Sequence, residues 1–187
     1  ALQASVQKLE AANARLDRLA RTDPLSGLPN RLAFFELAPR ELERASRYGR
    51  PLALAILDLD HFKAINDRHG HNVGDIALKH FAKTVKKLLR PSDLFARIGG
   101  EEFAILLPET EPSNATQLLD RILKSIVATP FKHLDEEIVL SFSAGVTGYY
   151  EGAITDELIK HADVALYRSK EQGRTCVSLN LATNPTA

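Results

Sequence analysis

Residues Leu94-Phe95-Ala96-Arg97-Ile98-Gly99-Gly100-Glu101-Glu102-Phe103-Ala104-Ile105-Leu106-Leu107 decide the fold. Two apolar runs, Leu94 to Ile98 and Phe103 to Leu107, flank Gly99-Gly100, a pair that signals a β-hairpin reversal. Upstream, Leu52-Ala53-Leu54-Ala55-Ile56-Leu57 is apolar without alternation, the pattern of a central strand buried on both faces. Between the two, Ile76, Leu78, Phe81, Val85, Leu88 and Leu89 recur with helical spacing until Arg90-Pro91 stops them. Further out, Leu32, Phe35, Leu42 and Ala45 predict a helix after a linker at 22–30, and a short helix is expected at 61–67 before a loop at 68–71. Helices are also expected at about 113–127 and 155–171, with strands at about 137–142 and 144–149 and an edge strand at Thr175-Cys176-Val177. Hairpins mixed with single strands between helices argue for α+β, a mixed sheet with helices packed on it, rather than a doubly wound parallel fold.

At the N-terminus Leu2, Leu9 and Leu16 lie seven apart, with Val6, Asn13 and Ala20 four residues after each. That is the a/d spacing of a parallel two-stranded coiled coil, although fewer than three heptads are present. A lone amphipathic helix docked on its own domain remains the alternative. The helix is expected to end near Asp23-Pro24, because proline disfavours helix at the preceding residue.

Composition narrows the chemistry. Lys+Arg 24 against Asp+Glu 24 leaves a formal charge of zero, so no domain-wide positive field tracks a polyanion and no nucleic-acid partner is expected. Cys176 is the only cysteine, which excludes an internal disulfide and any Cys-Cys metal cluster. No apolar run approaches the ~20 residues that span a bilayer, so no membrane contact by this chain is expected. With Met 0, the chain reads as a piece of a longer protein. There is no P-loop and no HExxH, and His69 and His71 lack the further ligands of a zinc site.

Acids fall where ligand sites of open sheets lie. The buried strand ends in Leu57-Asp58-Leu59-Asp60, and Glu101-Glu102 follow the glycine pair. Either feature alone is equally well a strand end reaching solvent or a solvated turn. Together, adjacent strand ends presenting carboxylates repel each other, and a divalent cation resolves the conflict. Mg²⁺ suits an all-oxygen site of one or two carboxylates completed by substrate phosphates, and glycines beside the acids let a nucleotide approach the backbone.

The run Arg97-Ile98-Gly99-Gly100-Glu101-Glu102-Phe103 resembles the signature of the GGDEF family of bacterial diguanylate cyclases, in its GGEEF form. Four further blocks stand in family order: 23–31 (DPLSGLPNR), 58–67 (DLDHFKAIND), 70–75 (GHNVGD) and 162–170 (ADVALYRSK), the last continuing to Gly173-Arg174. Ser26, Ile98 and Thr175 depart from the common pattern, and none carries assigned chemistry. The resemblance implies an N-terminal helical stalk at 1–21, a GGDEF catalytic domain at 22–178 and a tail at 179–187. The implied fold is a palm-like, mostly antiparallel mixed sheet flanked by helices, similar to class III nucleotide cyclases. The implied reaction is condensation of two GTP to cyclic di-GMP with release of two pyrophosphates. Each domain would be half a site, so a homodimer through the catalytic domains and the N-terminal helix is expected.

By the same resemblance Asp58, the Leu59 carbonyl, Glu101 and Glu102 hold two Mg²⁺ per half-site, with Mn²⁺ as an alternative, and Glu101 is the expected base with Glu102 able to share the role. Asp60 is expected to be a turn or supporting group. Asn66 and Asp75 would read guanine; read without the family, Asp75 is a first-turn helix acid behind an N-cap Asn72. Phe62, Lys63, Arg97, Gly99, Gly100, Lys170 and Arg174 complete the expected GTP contacts, the last two sharing a face if the helix extends that far. Arg90-Pro91-Ser92-Asp93 resembles the family's RxxD inhibitory site for cyclic di-GMP, with Arg121 as a secondary arginine. Lys79, Lys83, Lys86 and Lys87 read as a solvated helix face. The rival is a catalytically silent GGDEF module that serves as a GTP or cyclic di-GMP receptor or dimerisation domain, against which Asp58, Glu101 and Glu102 are all retained. A bacterial cytoplasmic location follows from the substrate, and membrane tethering of the parent protein stays open.

Overall fold

Strand β1, Leu52–Leu59, is buried along its whole length and organises the molecule. Its alternate side chains serve two cores: Ala53, Ala55, Leu57 and Leu59 face one, and Leu52, Leu54 and Ile56 the other. Both faces are therefore covered, which is why the run shows no polar alternation. The computed structural model describes residues 2–181, with only part of the side chains in the first helix. The side chains at the expected heptad positions Leu2, Leu9 and Asn13, and tail residues 182–187, lie outside what is described.

In chain order the elements are α1 (Leu2–Arg21), α2 (Arg31–Tyr48), β1, α3 (Phe62–His69), α4 (His71–Leu88), β2 (Leu94–Arg97), β3 (Glu102–Pro108), α5 (Pro112–Ala128), β4 (Phe131–His133), β5 (Glu136–Ile138), β6 (Phe142–Gly148), α6 (Thr155–Glu171) and β7 (Val177–Leu179). The main sheet runs β2-β3-β1-β6-β7. Every pairing in it is antiparallel except β6 with β7, giving the mixed, mostly antiparallel sheet expected. Phe81 and Val85 of α4 and Leu119 and Ile122 of α5 pack on one face; Phe34 and Leu42 of α2 and Leu158 and Leu166 of α6 pack on the other.

Gly145 fixes how closely α6 sits. A Cβ there would lie 2.0 Å from the Ala162 carbonyl oxygen and 2.2 Å from the Leu166 amide nitrogen, both backbone atoms that cannot turn aside. This close seat brings the C-terminal end of α6 over the end of β1. Parity does the rest: Asp58 shares the side of Leu54 and Ile56, the side that α6 covers.

Several local expectations are corrected. The residues of α2 buried against the sheet are Ala33, Phe34, Ala38, Leu42 and Ala45, with Phe35 partly buried beside them; of the expected stripe Leu42, Ala45 and Phe35 pack inward and Leu32 is exposed. The expected loop at 68–71 shrinks to Gly70, whose φ of 86° joins α3 directly to α4. The main sheet has no strand at 137–141, and its strand β6 begins at Phe142. Instead β4 and β5 form a separate two-stranded hairpin, in which Glu136 and Glu137 are exposed and Ile138 is the one buried residue of β5. The parallel edge strand begins at Val177 rather than Thr175, whose amide and hydroxyl are bound elsewhere, to Asp60.

Candidate active site

Asp58 is the carboxylate at the centre of the site. Lys170 Nζ of α6 lies 3.0 Å from Asp58 Oδ2. Antiparallel register sets Asp58 opposite Glu102 on β3, and the Leu59 amide donates to the Glu101 carbonyl oxygen at 3.2 Å. The strand end and the hairpin turn are thus fastened together through backbone, and their acids converge by construction. The Glu101 carboxyl is held above its ordinary pKa, first by partial loss of hydration and then by the negative charges of Asp58 and Glu102, with Lys170 acting in the opposite direction.

Asp163 joins this cluster, and sequence reasoning gave it no role. Its carboxyl is also raised, by lost hydration and then by Glu102, against the favourable charges of Arg31 and Lys170. The signal was available: Asp163 and Lys170 are seven apart on α6, two turns along one face. Asp58 pairs with the Lys170 ammonium, whose charge also acts on Glu101 and Asp163, while the charge of Glu102 acts on both of those carboxyls. Among the described residues no three His, Cys, Asp or Glu side chains already form a cage for a metal ion. Hard oxygen donors from two adjacent strand ends, with a lysine ammonium standing among them, nevertheless fit a cation that takes one or two carboxylates and leaves its other positions to substrate and water.

The turn itself is braced from outside. Ile98 and Gly99 amides both donate to the Glu102 carbonyl oxygen, at 2.9 and 3.2 Å. Arg97 donates through Nε and a terminal nitrogen to the Gly100 carbonyl oxygen at 3.1 and 2.7 Å, and through its other terminal nitrogen to both oxygens of Asp23 at 3.1 and 3.2 Å. Its guanidinium is engaged with these protein partners and so braces the turn. Although burial pulls the Asp23 carboxyl upward, hydrogen bonds from the Ser26 hydroxyl and amide and from Arg97 hold it below its ordinary value. The two glycines differ in their reason for being glycine. A Cβ at Gly99 would meet Glu102 Oε2 at 2.5 Å, whereas one at Gly100 would meet nothing within 4 Å, leaving that backbone open to a ligand.

On the neighbouring helices, Asn66 is half-buried and Asp75 exposed. Gly74 makes room for Asn66: a Cβ there would fall 1.9 Å from Asn66 Oδ1 and 3.2 Å from Cζ of the buried Phe62. Asn72 is not an N-cap, since α4 begins at His71 behind Gly70, and Asp75 lies beyond the first turn. The dipole explanation for an acid at this position loses its geometric basis. Lys63 is exposed on α3. Arg174 stands in a turn past the end of α6, with φ of 67°, so the helix does not carry it onto the face of Lys170 as expected.

Away from this cluster, Arg90, Asp93 and Arg121 line one cavity of about 630 Å³, together with Asn114 and Lys124. Asp93 Oδ2 accepts from the Arg90 amide at 2.8 Å. Burial raises the Asp93 carboxyl, against that hydrogen bond and the Arg90 charge.

Residues 20–176 match the family model described as diguanylate cyclase, GGDEF domain. The chain belongs to the GGDEF family. As a GGDEF domain it is 46% identical over 155 residues to diguanylate cyclase DgcP of Pseudomonas aeruginosa, a match covering 83% of this chain and 23% of that protein. It is 39% identical over 174 residues to the cyclic di-GMP phosphodiesterase NbdA of the same organism, covering 92% of this chain and 22% of that protein. The chain therefore spans less than a quarter of the length of these relatives. Among solved structures, this GGDEF domain resembles the coiled coil and GGDEF domain of DgcB from Caulobacter crescentus in complex with c-di-GMP, with a TM-score of 0.90 and 31% identity over 95% of this chain and 94% of that one.

Proposed function

We propose that this GGDEF domain is a diguanylate cyclase that condenses two GTP to cyclic di-GMP across a dimer of domains. The observation that carries the reading is the joining of Asp58 and Glu101-Glu102 beside Lys170 at one edge of the sheet, in a chain that retains every signature acid. Asp58, the Leu59 carbonyl, Glu101 and Glu102 would hold Mg²⁺, or Mn²⁺ in its place. Bound there, the metal supplies Lewis acidity that lowers the pKa of the GTP 3′-hydroxyl and offsets charge on the α-phosphate and leaving pyrophosphate.

The chain's own residues divide the remaining work. Glu101, with its carboxyl pushed toward a more basic value, takes the 3′-hydroxyl proton, and Glu102 beside it can share that role. Asp75 accepts from guanine N1–H and the 2-amino group, which adenine lacks, while the Asn66 amide offers a donor and an acceptor. Lys170, Arg174 and Lys63 receive the triphosphate, and the open backbone at Gly100 lets it lie close. Arg97 keeps the turn that carries Glu101 in shape.

One domain holds half a site, so two must meet for each hydroxyl to reach the other GTP. Exposed Val6, Leu16 and Leu19 on α1 support pairing through the stalk, which would raise the effective concentration of the second half-site. Arg90, Asp93 and Arg121, gathered at one cavity, support product inhibition by cyclic di-GMP. No described helix is long and apolar enough to cross a membrane, and the nucleotide substrate argues for the bacterial cytoplasm. The test is mass identification of products after incubation with GTP and Mg²⁺, beside a Glu101→Ala, Glu102→Ala double variant. Cyclic di-GMP from the parent chain alone supports the proposal; GTP binding without product in either would favour a receptor module.

A further inference from the structure

Asp60 is only 5% exposed and pairs with no cation among the described residues. Its carboxylate is nevertheless fully engaged. Oδ1 accepts from Ser143 Oγ at 2.7 Å; Oδ2 accepts from Ser141 Oγ at 3.1 Å, from the Thr175 amide at 3.0 Å and from Thr175 Oγ1 at 3.3 Å. Two of these donors belong to the turn that follows α6, far away in sequence.

That turn has an unfavourable backbone. Arg174 and Thr175 both adopt left-handed φ values, 67° and 52°, and a β-branched residue rarely does so unless the surroundings impose it. The flanks of the turn are tied to α6 and β6: the Arg174 amide donates to the Ser169 carbonyl oxygen, and the Ala144 amide donates to the Cys176 carbonyl oxygen, both at 3.0 Å. Between those ties, Thr175 is held by Asp60 and by a hydroxyl contact of 3.2 Å with Ser141. The end of β1 thus divides its acids. Asp58 goes to the open site and Lys170, while Asp60 turns inward to the segment that bears Arg174.

We propose that Asp60 is a positioning residue for triphosphate recognition: its buried carboxylate holds the Arg174–Thr175 turn in its left-handed form and so presents Arg174 beside Lys170 at the acid site. The proposal rests on the reading of the site as a GTP site. It differs from a general stabilising role because it affects one part of the ligand and leaves the guanine end alone.

The test is titration calorimetry in Mg²⁺ with two ligands, a GTP analogue carrying a methylene between the α- and β-phosphorus atoms, and GMP. In Asp60→Asn one oxygen remains to accept and its hydrogen bonds to Thr175 lose the carboxylate charge, so the analogue should bind about tenfold more weakly, the difference between a charged and a neutral hydrogen bond. GMP affinity should be unchanged. Arg174→Ala should show the same selective loss, and combining it with Asp60→Asn should add little. Adding Thr175→Gly to Asp60→Asn should restore most of the analogue affinity, because glycine adopts positive φ freely. Equal loss of both ligands, unaltered analogue binding in Asp60→Asn, or no recovery with glycine would each overturn the proposal. Should Asp60→Asn not fold, Thr175→Ala removes only the hydroxyl bonds and must still weaken the analogue selectively, on the order of threefold; no selective loss would equally overturn it. A parent chain that binds neither nucleotide would refute the GTP reading itself, an outcome distinct from binding that ignores Asp60.

Discussion

Replacing Glu101 by Gln should make the metal-free protein more stable while abolishing its proposed activity. In the folded chain Asp58 pairs with Lys170, and both Glu101 and Asp163 are held above their ordinary pKa, by lost hydration and then by the neighbouring carboxylates, Asp58 and Glu102 at Glu101 and Glu102 at Asp163. Two unit charges ~6 Å apart repel by about 3 kcal/mol at an effective dielectric near 20 and by under about 1 kcal/mol at that of water. Glu101 is half-buried, and its loss also removes an attraction to Lys170, so a net relief of about 1 kcal/mol is expected. For a chain of this size that is about 2–4 °C in Tm. The assay is thermal unfolding in EDTA at pH 7.5, repeated with Mg²⁺ and a GTP analogue. The variant should melt higher than the parent in EDTA and gain less from the metal and nucleotide. A Glu101→Gln chain that melts at or below the parent temperature in EDTA would refute the electrostatic account of the site, because the acids would then not be in conflict.

The same cluster gives a pH signature. A carboxyl whose folded pKa is raised above its ordinary value of 4.5 contributes stability that is complete below that value and lost as pH rises through the folded pKa; the Tm advantage of Glu101→Gln should therefore vanish near pH 4 and open toward pH 7, and a pH-independent gap would contradict this. Gly74→Ala drives a Cβ into Asn66 Oδ1, so guanine nucleotide affinity, read by calorimetry, should fall about tenfold while Tm changes little. Arg97→Lys replaces a fork that bridges Asp23 and the Gly100 carbonyl by one point charge; a loss of about 1–3 kcal/mol is expected in denaturant unfolding, with slower GTP turnover because the turn bearing Glu101 loosens. Unchanged unfolding in that variant would show that the brace is idle.

What the sequence made legible was whatever is local. The apolar run of β1, the hairpin around Gly99-Gly100 and the spacing of α4, α5 and α6 all depend on neighbours in the chain, and all are found. The segment at 137–142 was misread because Ile138 and Leu140 are buried as a strand's would be, yet Val139 is 56% exposed and the pairing goes to β4 instead of the main sheet. Nothing local distinguishes a sheet strand from a short hairpin arm. In α2 the expected Leu42 and Ala45 are buried, but at the first turn Leu32 is as apolar as Phe34, and only docking on the sheet decides that Phe34 faces inward.

The candidate site divides along the same line. Asp58, Glu101 and Glu102 were legible from strand ends and the family motif, whereas the commitment of Arg97 needed Asp23, 74 residues away, and the role of Asp60 needed Ser141, Ser143 and Thr175, up to 115 residues away. Asp163 had a readable spacing to Lys170, but without the fold no reason existed to bring α6 over β1.

The most direct test of the central claim is the rate of GTP consumption per milligram of protein across a wide range of concentrations, with Mg²⁺ present and the product identified by mass. Two half-sites that must meet predict cyclic di-GMP, formed at a specific rate that climbs with concentration and levels off as the dimer fills. Cyclic di-GMP formed at a constant specific rate by a chain that sediments as a monomer would contradict the half-site account.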